Sequence, residues 1–566
     1  MRVPQAAALS ATAPTVNDLR VSRAMAIPGC SPGGIVAVDS PRFRMEFPGP
    51  ACYIAGAMDI LAAHAARHPA KPALIEGERV WSWADLVERR NRLGHALVDL
   101  GLQTGEHVIV YAANSLEHLL AGTSARAAGL IPAPMNHRLV AEEVAYILDH
   151  SDAVAVFVSD QFLPVAEAIR AEARKVRHWI LMGEARREWA VHLDDLLARG
   201  RPEPVELPAG AAFGASIIYT GGTTGKPKGA LRRSLDPAGL METLRALDLL
   251  DPHHVHLVAG PMYHSAPSGL ALYAHIVGAT VVIMPKFDPE RALEQIQRHR
   301  CSSTFMAPTL LKRIMDLPAS VRARYDVSSM RAIIMAAAPC PMSVKEAVVG
   351  YFGPALYEFY GSTELGVNTI LQPADVLRKP GSCGREAPGR EIALLDDDGR
   401  PVPVGEPGEL YVRQFSGILD EYYKDPTATA GMRRGEWYSV GDVAYRDADG
   451  FYYICDRKRD MIISAGVNIY PAEIEDALHR HPDIQDVAVF GVPDDEWGER
   501  VHAAVQPRPE APLTADSVTA FAREHLAGYK VPREVTFHHN FPRDAAGKLL
   551  KRVLREPYWA GRASRI

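Results

Sequence analysis

A glycine-rich segment in the first half of the chain has the residue types of a phosphate-binding loop. Residues 221–229 read GGTTGKPKG and directly follow residues 216–220, SIIYT. Glycines let the backbone turn its N–H groups toward phosphate oxygens, while hydroxyls add donors and lysines add positive charge. The apolar residues in front of the loop are typical of a buried strand. The pattern therefore predicts a strand that leads into a nucleotide-phosphate loop.

This loop differs from the P-loop of kinases and GTPases. The P-loop motif requires glycine at the position of Thr220 and serine or threonine after its lysine, whereas Lys226 is followed by Pro227. The sequence therefore disfavours P-loop enzymes. A flexible surface loop is the alternative interpretation of the glycines.

The elements that would position the loop alternate between amphipathic helices and short buried strands. Apolar residues recur at helical spacing over 57–66 and 83–100, and short apolar runs typical of strands occur at 108–111 and 281–284. Alternation of this kind is typical of α/β layers. The sequence therefore predicts an α/β fold.

A charged run at residues 456–460, DRKRD, indicates a domain boundary. Beyond it, helical and strand-like patterns alternate over a short stretch that predicts a compact α+β unit. We expect a large, multi-subdomain α/β N-terminal domain over residues 51–456, a hinge at 457–460 and a small, mobile α+β C-terminal domain over 461–566.

The first 50 residues have an unusual composition. They contain no lysine and carry five arginines among alanine, proline, serine and glycine. This composition can indicate a transit peptide. The interpretation we favour is a disordered or poorly packed leader over residues 1–50, or a translation start assigned too far upstream. Met25 and Met45 both lie nearer the first periodic segment.

Bulk properties exclude several classes of partner. A net charge of −6 and a pI near 6.4 argue against nucleic acid, because no basic face would attract it. The six cysteines are scattered without a CxxC pair, which indicates reduced thiols and a cytoplasmic location. No apolar run approaches the ~20 residues that a spanning membrane segment needs.

Further motifs follow the glycine loop in a fixed order. They read YGSTE at residues 360–364, YSVGD at 438–442, SAGVNIYPAEIE at 464–475 and PRDAAGK at 542–548. In order and spacing, from about residue 55 to about residue 555, the chain resembles the adenylate-forming superfamily and its branch of acyl-CoA synthetases. The glycine loop is similar to that family's signature, with Gly222 in place of a serine.

The resemblance implies roles for residues that handle ATP. Tyr360 would stack on adenine, Asp442 and Arg457 would hold the ribose, and Glu364 with Thr223 would hold Mg²⁺. The implied ATP site comprises Thr220, Gly221, Gly222, Thr223, Thr224, Gly225, Lys228, Ala337, Ala338, Pro339, Tyr360, Gly361, Asp442 and Arg457.

The resemblance also implies the catalytic groups. Lys548 would approach the substrate carboxylate and the α-phosphate, where a mobile positive charge lowers the repulsion between two anions. Thr363 would donate a hydrogen bond to the α-phosphate, and Glu364 would act through the metal ion. Arg459 falls where the family has its interdomain hinge, at which the small domain rotates.

The acyl and CoA sites are also implied by the resemblance. The acyl pocket would be lined by Tyr263, His264, Ala336, Gly361 and Gly366. His264 stands where relatives that activate amino acids carry an aspartate, and paired tryptophans typical of acetate-specific relatives are missing before residue 360. A medium- or long-chain, or a bulky cyclic or aromatic, acid is therefore expected. Ala465 and Gly466 would line the CoA tunnel.

The expected function is that of an ATP-dependent, AMP-forming acid:CoA ligase, with ATP, Mg²⁺ and coenzyme A as its small molecules. The main alternative is a stand-alone adenylating enzyme that delivers the acyl group to a carrier protein or an amine. A luciferase-like oxygenase and a non-catalytic binding protein are further alternatives. A homodimer is one expected assembly.

Overall fold

The computed structural model describes residues 36–40, 43–47, 59–206, 215–220, 227–234, 236–415, 417–457, 460–464, 467–494, 497–543 and 549–560, with residues 36–40, 43–47 and 468 described by their backbone. Contacts divide the chain into two compact units, Met1–Asp59 and Ile60–Ile566. In the first unit, strands Val36–Ser40 and Phe43–Phe47 pair antiparallel. Most of the expected leader lies outside the described residues, and that assignment stays a prediction.

Helices occur throughout the second unit. Those in its described residues are Ile60–Arg67, Trp83–Asp99, Leu116–Ala127, Ala141–His150, Leu163–Ile169, Leu193–Arg199, Pro237–Ala246, Ser265–Ile276, Pro289–His299, Pro308–Met315, Ala319–Arg322, Met342–Phe352, Pro426–Gly431, Pro471–Leu478, Ala515–His525 and Lys551–Trp559, with single 3₁₀ turns at Asp160–Phe162 and Gly528–Lys530. None of the helices in the described part of the chain is long and apolar enough to cross a membrane.

Local sequence explains where the first long helix begins. The Ser82 hydroxyl accepts a hydrogen bond from the Asp85 backbone N–H at 3.1 Å, and the Asp85 carboxylate accepts one from the Ser82 N–H at 2.9 Å. This reciprocal cap satisfies two N–H groups that a helix end leaves without partners. Similar side-chain caps begin the helices at Ser115, Asp288 and Thr514.

The largest sheet has nine strands among the described residues. In spatial order they are Arg385–Glu386, Gly366–Leu371, Leu356–Ser362, Ala332–Met335, Ser303–Met306, Val255–Val258, Thr280–Ile283, Pro72–Glu76 and Arg79–Ser82. The inner strands are parallel, and each edge is completed by antiparallel strands. Helices on both faces of a parallel sheet give the α/β layering that the sequence predicts.

The two faces of this sheet have different neighbours. One face carries Leu257, Met306, Met335 and Leu356, which belong to a buried apolar cluster with the helices at 289–299, 308–315 and 342–352. The opposite face is contacted by the helix Ser265–Ile276. This helix directly follows Tyr263 and His264, two of the residues predicted to line the acyl pocket.

A second sheet of this unit is wholly parallel. In the described residues its order is Ile131–Pro134, His107–Tyr111, Ala155–Ser159, His178–Met182 and Val191–His192. Buried apolar residues cover both of its faces. Full burial explains why these strands are continuous apolar runs in the sequence.

Two antiparallel sheets follow. The strands Ser216–Thr220, Lys228–Arg232 and Glu421–Tyr422 form a small sheet. A larger one in the described residues contains Ile392–Leu395, Gly408–Arg413, Arg433–Arg434, Trp437–Tyr438, Asp442–Arg446 and Tyr452–Arg457. The second of these sheets ends at the charged run that precedes the C-terminal domain.

The small C-terminal domain is α+β. Its described strands are Ile462–Ser464, Val467–Ile469, Ile484–Asp494, Gly498–Pro507 and Glu534–Phe537, and its sheet packs on the helices Pro471–Leu478 and Ala515–His525. A large α/β domain followed by a small α+β domain confirms the expected fold class.

Candidate functional site: an adenylation centre

The glycine loop joins two paired strands. Strands Ser216–Thr220 and Lys228–Arg232 are antiparallel, with Thr220 directly opposite Lys228. Residues 221–226 lie outside the described residues, and these include the predicted ATP ligands Gly221, Gly222, Thr223, Thr224 and Gly225. The register nevertheless fixes both ends of the loop, because the two strands hold Thr220 and Lys228 side by side.

Lys228 is held by two neighbours on the adjoining segment. Its Nζ lies 3.3 Å from the Asp425 carboxylate and 5.3 Å from the centre of the Tyr422 ring. Because a cation is attracted both to a carboxylate and to an aromatic face, the Lys228 ammonium group is held beside the end of the loop. This is a suitable place for a positive charge that meets phosphate.

Glu364 is a buried carboxylate with a dedicated hydrogen-bond donor. Its exposure is 9%, and its Oε1 accepts a hydrogen bond from the Tyr422 hydroxyl at 2.8 Å. Burial and the nearby Glu364 charge raise the pKa of Tyr422, so the phenol stays protonated and continues to donate. A fixed, buried carboxylate oxygen is a good ligand for a hard cation such as Mg²⁺.

Thr363 is connected to the acyl side and to the loop hairpin. Its hydroxyl lies 3.2 Å from the Ser265 hydroxyl, at the start of the helix Ser265–Ile276. Its backbone carbonyl accepts a hydrogen bond at 3.0 Å from Arg232, in the strand that follows the glycine loop. Thr363 therefore lies where the predicted acid and phosphate sites meet.

A second group of side chains surrounds Asp442. The Tyr360 hydroxyl donates to Asp442 Oδ2 at 2.6 Å, and Arg457 Nε lies 3.3 Å from Asp442 Oδ1. Burial, followed by the Asp442 charge, raises the pKa of Tyr360 well above its usual range. The structure thus brings together the three residues predicted for adenine and ribose.

Two glycines allow the strands of this site to approach closely. A methyl group on Gly361 would lie 2.1 Å from the carbonyl oxygen of Gly366, and Gly366 itself has φ +66°. Just after the strand Ala332–Met335, Ala337 has φ +79°, in the left-handed region that alanine rarely adopts. Strained backbone is often found at ligand sites, and Ala337, with its neighbours Ala338 and Pro339, belongs to the predicted ATP site.

The predicted acyl segment is fixed by a buried asparagine. The Asn114 amide donates to the carbonyls of Gly260 and Met284 at 2.9 and 3.1 Å, and its oxygen accepts from the Met262 N–H at 2.8 Å. These bonds hold the turn in front of Tyr263 and His264. Tyr263 and Ala336 are both buried. Ala336 directly follows the strand Ala332–Met335 of the central sheet.

The described residues on either side of the predicted catalytic Lys548 are paired with each other. Residues 544–548, which include Lys548, are outside the described residues. On either side, the Leu550 N–H donates to the Pro542 carbonyl at 2.9 Å, and Arg543 pairs with Leu549. The role of Lys548 stays a prediction.

The predicted CoA and hinge residues also fall outside the described residues. Ala465 and Gly466 join the paired strands Ile462–Ser464 and Val467–Ile469, and Arg459 follows the strand Tyr452–Arg457. In the described residues near Ala465 and Gly466, Ile463 and Val467 are exposed, each at 44%.

A partly buried charge cluster lies next to the predicted hinge. Lys551, on the last helix, lies 2.7 Å from Glu475, and burial raises the pKa of Asp456 to about 6. On the same helix, Arg555 lies 3.2 Å from Asp460. These pairs hold the last helix against the helix Pro471–Leu478 and against Asp460 in the predicted hinge.

Comparison with known proteins identifies the family. Residues 61–423 match the model of the AMP-binding enzymes, and residues 473–548 match that of the AMP-binding enzyme C-terminal domain. The chain belongs to the AMP-binding enzymes. The expected membership in the adenylate-forming superfamily and the expected enzyme class are confirmed.

Relatives of this AMP-binding enzyme include CoA ligases. An indoleacetate–CoA ligase of Aromatoleum aromaticum is 34% identical over 501 residues, which cover 87% of this chain and 96% of the relative. A feruloyl-CoA synthase of an Amycolatopsis species is 32% identical over 493 residues, with the same two coverages. Among solved structures, the amide bond synthetase McbA of Marinactinospora thermotolerans is similar, with a TM-score of 0.79 at 28% identity over 88% of this chain and 99% of that one.

Several residues next to the predicted site were not found from the sequence. Ser265, Arg232 and Tyr422 contact predicted site residues that are 98, 131 and 58 positions away in the sequence. Asn114 bonds to Gly260 and Met284, 146 and 170 positions away, and so acts on the segment before Tyr263. Their own segments carry no local signal for these roles. Tyr422 lies in the short strand Glu421–Tyr422, and its partner strand Lys228–Arg232 is not apparent from the local sequence either.

Proposed function

We propose that this AMP-binding enzyme is an ATP-dependent, AMP-forming acid:CoA ligase. The observation that carries the proposal is the meeting of three groups around the strand Leu356–Ser362: the Glu364 carboxylate, the Thr363 hydroxyl and the Asp442–Arg457 pair. Arg232 connects these groups to the hairpin that carries the glycine loop. Such a site can bind the phosphates and the ribose of ATP at the same time.

In the first half-reaction, one oxygen of the substrate carboxylate attacks the α-phosphorus of ATP. A new O–P bond forms, the bond to the bridging oxygen of pyrophosphate breaks, and pyrophosphate leaves with the electron pair. Thr363 would donate a hydrogen bond to an α-phosphate oxygen, and Lys548 would offset the charge of the two anions. Positioning and charge stabilisation of this kind supply most of the catalysis in phosphoryl-type transfers.

The donor set is also suitable for Mg²⁺. Glu364, with Thr223 as a second oxygen ligand, would hold the ion, which neutralises phosphate charge when it is bound. The hydrogen bond from Tyr422 orients the Glu364 carboxylate for this task.

In the second half-reaction, the CoA thiolate attacks the acyl carbon of the adenylate. A thioester bond forms, the mixed anhydride bond breaks, and AMP leaves. We propose that the small domain rotates at Arg459 between the two steps, which withdraws Lys548 and brings Ala465 and Gly466 to the site. The exposed Ile463 and Val467 give the two strands that flank these residues an apolar surface that can contact another part of the protein.

The proposed acid is a medium- or long-chain, or a bulky cyclic or aromatic, carboxylic acid. Apolar rings in the central sheet support an acid of this kind, because the ring centres of Phe305 and Phe359 lie 6.3 Å apart and the helix Ser265–Ile276 contacts the strand that carries Phe305. Relatives named for feruloyl and indoleacetate substrates are consistent with an aromatic acid.

An alternative function is transfer of the acyl group to an amine. The similarity to an amide bond synthetase favours this alternative, because both reactions begin with the same adenylate. Delivery to a carrier-protein thiol is a variant of the same scheme.

The test measures acid-dependent exchange of labelled pyrophosphate into ATP over a panel of aliphatic and aromatic acids, without CoA. CoA, an amine or a carrier protein is then supplied with the best acid, and the product is weighed by mass spectrometry. Exchange together with acyl-CoA formation is expected. Transfer only to the amine or the carrier would support the alternative. A complete absence of exchange with every acid of the panel would refute adenylation.

Glu364→Gln provides a matched variant for this test. Loss of the carboxylate charge is expected to lower exchange by about 100-fold, since preorganised charge contributes that much to comparable sites. The control, Glu172→Gln, changes an exposed carboxylate and is expected to leave exchange unchanged. Equal activity of the two variants would contradict the role of Glu364.

We also propose a cytoplasmic location and a homodimer. Free Cys301, Cys340, Cys383 and Cys455 in the described part of the chain support a reducing location. Sedimentation equilibrium would test the homodimer, which predicts twice the mass of the chain.

A further inference from the structure

A turn outside the predicted site contacts both sides of the hairpin that carries the glycine loop. The helix Ala141–His150 ends in this turn, at residues 150–152, which leads into the second, parallel sheet. Ser151 is buried, and its carbonyl oxygen lies 2.6 Å from Nδ1 of His107 in that sheet. Asp152 has φ +52°, in the left-handed region, which lets the chain change direction. The 150–152 turn is therefore fixed to the sheet.

One contact of the 150–152 turn reaches the strand that enters the glycine loop. His150 Nδ1 lies 2.9 Å from the Tyr219 hydroxyl, and the two rings meet edge to face with their centres 5.8 Å apart. Tyr219 immediately precedes Thr220 and lies opposite Gly229 in the hairpin. A methyl group on Gly229 would come within 3.1 Å of the Tyr219 ring. The Tyr219 ring is thus packed against the strand that leaves the loop.

A second contact reaches the segment on the other side of the hairpin. The Tyr423 hydroxyl donates to Asp152 Oδ2 at 2.7 Å. Burial, followed by the bond to Asp152, raises the pKa of Tyr423 to about 12, so the phenol keeps its proton and remains the donor. Asp152 also pairs with Lys424 at 2.7 Å and with Lys175 at 3.0 Å. Because both lysines are exposed, water weakens these pairs, and the phenol bond is the main link.

The segment that carries Tyr423 also holds two groups of the predicted ATP site. Its neighbour Tyr422 donates to Glu364 at 2.8 Å. Asp425, two residues further on, lies 3.3 Å from Lys228. The N–H of Tyr423 itself donates at 2.8 Å to the carbonyl of the hairpin residue that follows Lys228. A shift of Tyr423 would therefore move the donor to Glu364, the partner of Lys228 and the edge of the hairpin together.

We propose that His150 and Asp152 are positioning residues for the end of ATP that leaves as pyrophosphate. His150 acts through Tyr219 on the strand that enters the loop. Asp152 acts through Tyr423 on the segment beside the strand that leaves it. Together they hold the ends of the loop and Lys228 in place, and a displacement of about 1 Å in positioning groups can lower a rate by ~100-fold. The inference rests on the proposed function, in which the glycine loop binds phosphate.

The two ends of ATP should respond differently to a change in the 150–152 turn. The adenosine end is assigned to Tyr360, Asp442 and Arg457, which are connected to each other through Asp442. A looser hairpin should weaken the binding of MgATP and of pyrophosphate, but not the binding of AMP. General damage to the fold would weaken all three.

The main test replaces each partner of the phenol bond and measures pyrophosphate-exchange kinetics. Asp152→Gly removes the carboxylate and keeps the turn, because glycine adopts positive φ without strain. Tyr423→Phe removes only the hydroxyl group. In both variants, KM for MgATP and KM for pyrophosphate are expected to rise by about 10-fold, while Kd for AMP by calorimetry changes by less than about twofold. The double variant should be no worse than either single one, since both remove the same bond.

A conservative variant and a matched control complete the set. Asp152→Asn keeps an oxygen that accepts from Tyr423, and asparagine tolerates positive φ, so most of the affinity for MgATP should return. Asp149→Ala removes an exposed carboxylate that pairs with Lys175 at 2.7 Å, and leaves the phenol bond in place. It is expected to leave both KM values and Kd for AMP unchanged.

The other side of the hairpin is tested by His150→Phe, which keeps a ring beside Tyr219 and removes Nδ1. It is expected to raise the same two KM values and to leave Kd for AMP unchanged. Melting temperatures are measured for every variant. Should Asp152→Gly not fold, Tyr423→Phe and His150→Phe still test the inference.

The outcomes separate the inference from the proposed function. No acid-dependent exchange by the wild-type enzyme would refute the proposed function itself. Wild-type KM values in Asp152→Gly and Tyr423→Phe would overturn the inference, even if their melting temperatures fell. An equal loss of affinity for AMP, or a similar effect of Asp149→Ala, would overturn it as well, because the turn would then be a general support of the fold.

Discussion

Replacing Gly361 by alanine would place a methyl group 2.1 Å from the carbonyl oxygen of Gly366. Ordinary van der Waals contact begins near 3.4 Å, so one of the two strands would have to move by more than an ångström. The atoms nearest to the added methyl group belong to the backbone of Gly366 and Val367, so no change of side-chain rotamer can relieve the clash. The strand with Tyr360 and the strand that begins at Gly366 would therefore separate.

This displacement should affect activity more than stability. A shift of about 1 Å in groups that position a reacting substrate can lower the rate by ~100-fold, and we expect a fall of that order in kcat/KM for exchange. Overpacking costs about 1–3 kcal/mol, which predicts a lower urea midpoint but a folded protein. Exchange kinetics and urea unfolding on the same samples measure both effects.

The helix residue Gly350 provides the control. A methyl group there would meet nothing within 4 Å, and Gly350 lies within the helix Met342–Phe352. Gly350→Ala should therefore keep full activity and gain about 0.5–1 kcal/mol of stability. If Gly361→Ala retained kcat/KM within a factor of three, the proposed close approach of the two strands would be wrong.

Three more changes have distinct expected results. Tyr360→Phe removes the 2.6 Å hydrogen bond to Asp442; a bond to a charged group is worth about 1.5–3 kcal/mol, so KM for ATP should rise by at least ~10-fold, and an unchanged KM would contradict the ribose role. Burial lowers the pKa of His256 to about 3 and that of His275 to about 4. Both histidines stay neutral in the folded protein, whereas in the unfolded chain they bind a proton below pH ~6.5. Lowering the pH from 7.5 to 5 should therefore lower the free energy of unfolding by about 2 kcal/mol for each histidine. Urea titrations in which His275→Gln kept the full acid sensitivity would refute this. Asn114→Ala removes three hydrogen bonds that hold the turn before Tyr263, so in exchange kinetics KM for the acid should rise more than KM for ATP; equal rises would argue against a positioning role.

Local patterns in the sequence predicted many of the elements. The helix expected over 83–100 is Trp83–Asp99, and the strands expected at 216–220 and 281–284 are Ser216–Thr220 and Thr280–Ile283. These predictions succeed because the period of apolar residues is a property of the segment itself. They need no knowledge of the neighbouring elements.

Contacts between distant segments could not be predicted in this way. Lys345 donates to Glu358 at 2.5 Å, and both residues are buried. Glu358 lies two residues before Tyr360 in the same strand. Burial raises the pKa of Glu358 although Lys345 opposes the shift. In the sequence Lys345 appears as an ordinary helix lysine, because strand order and register determine its partner.

The central claim is that a carboxylate oxygen of the acid bonds to the α-phosphorus of ATP. The most direct test incubates the enzyme with ATP, CoA and an acid labelled with ¹⁸O in both carboxyl oxygens, and then weighs the products by mass spectrometry. We expect a single ¹⁸O atom in AMP and none in pyrophosphate. Unlabelled AMP, or label in pyrophosphate or inorganic phosphate, would contradict the adenylate mechanism.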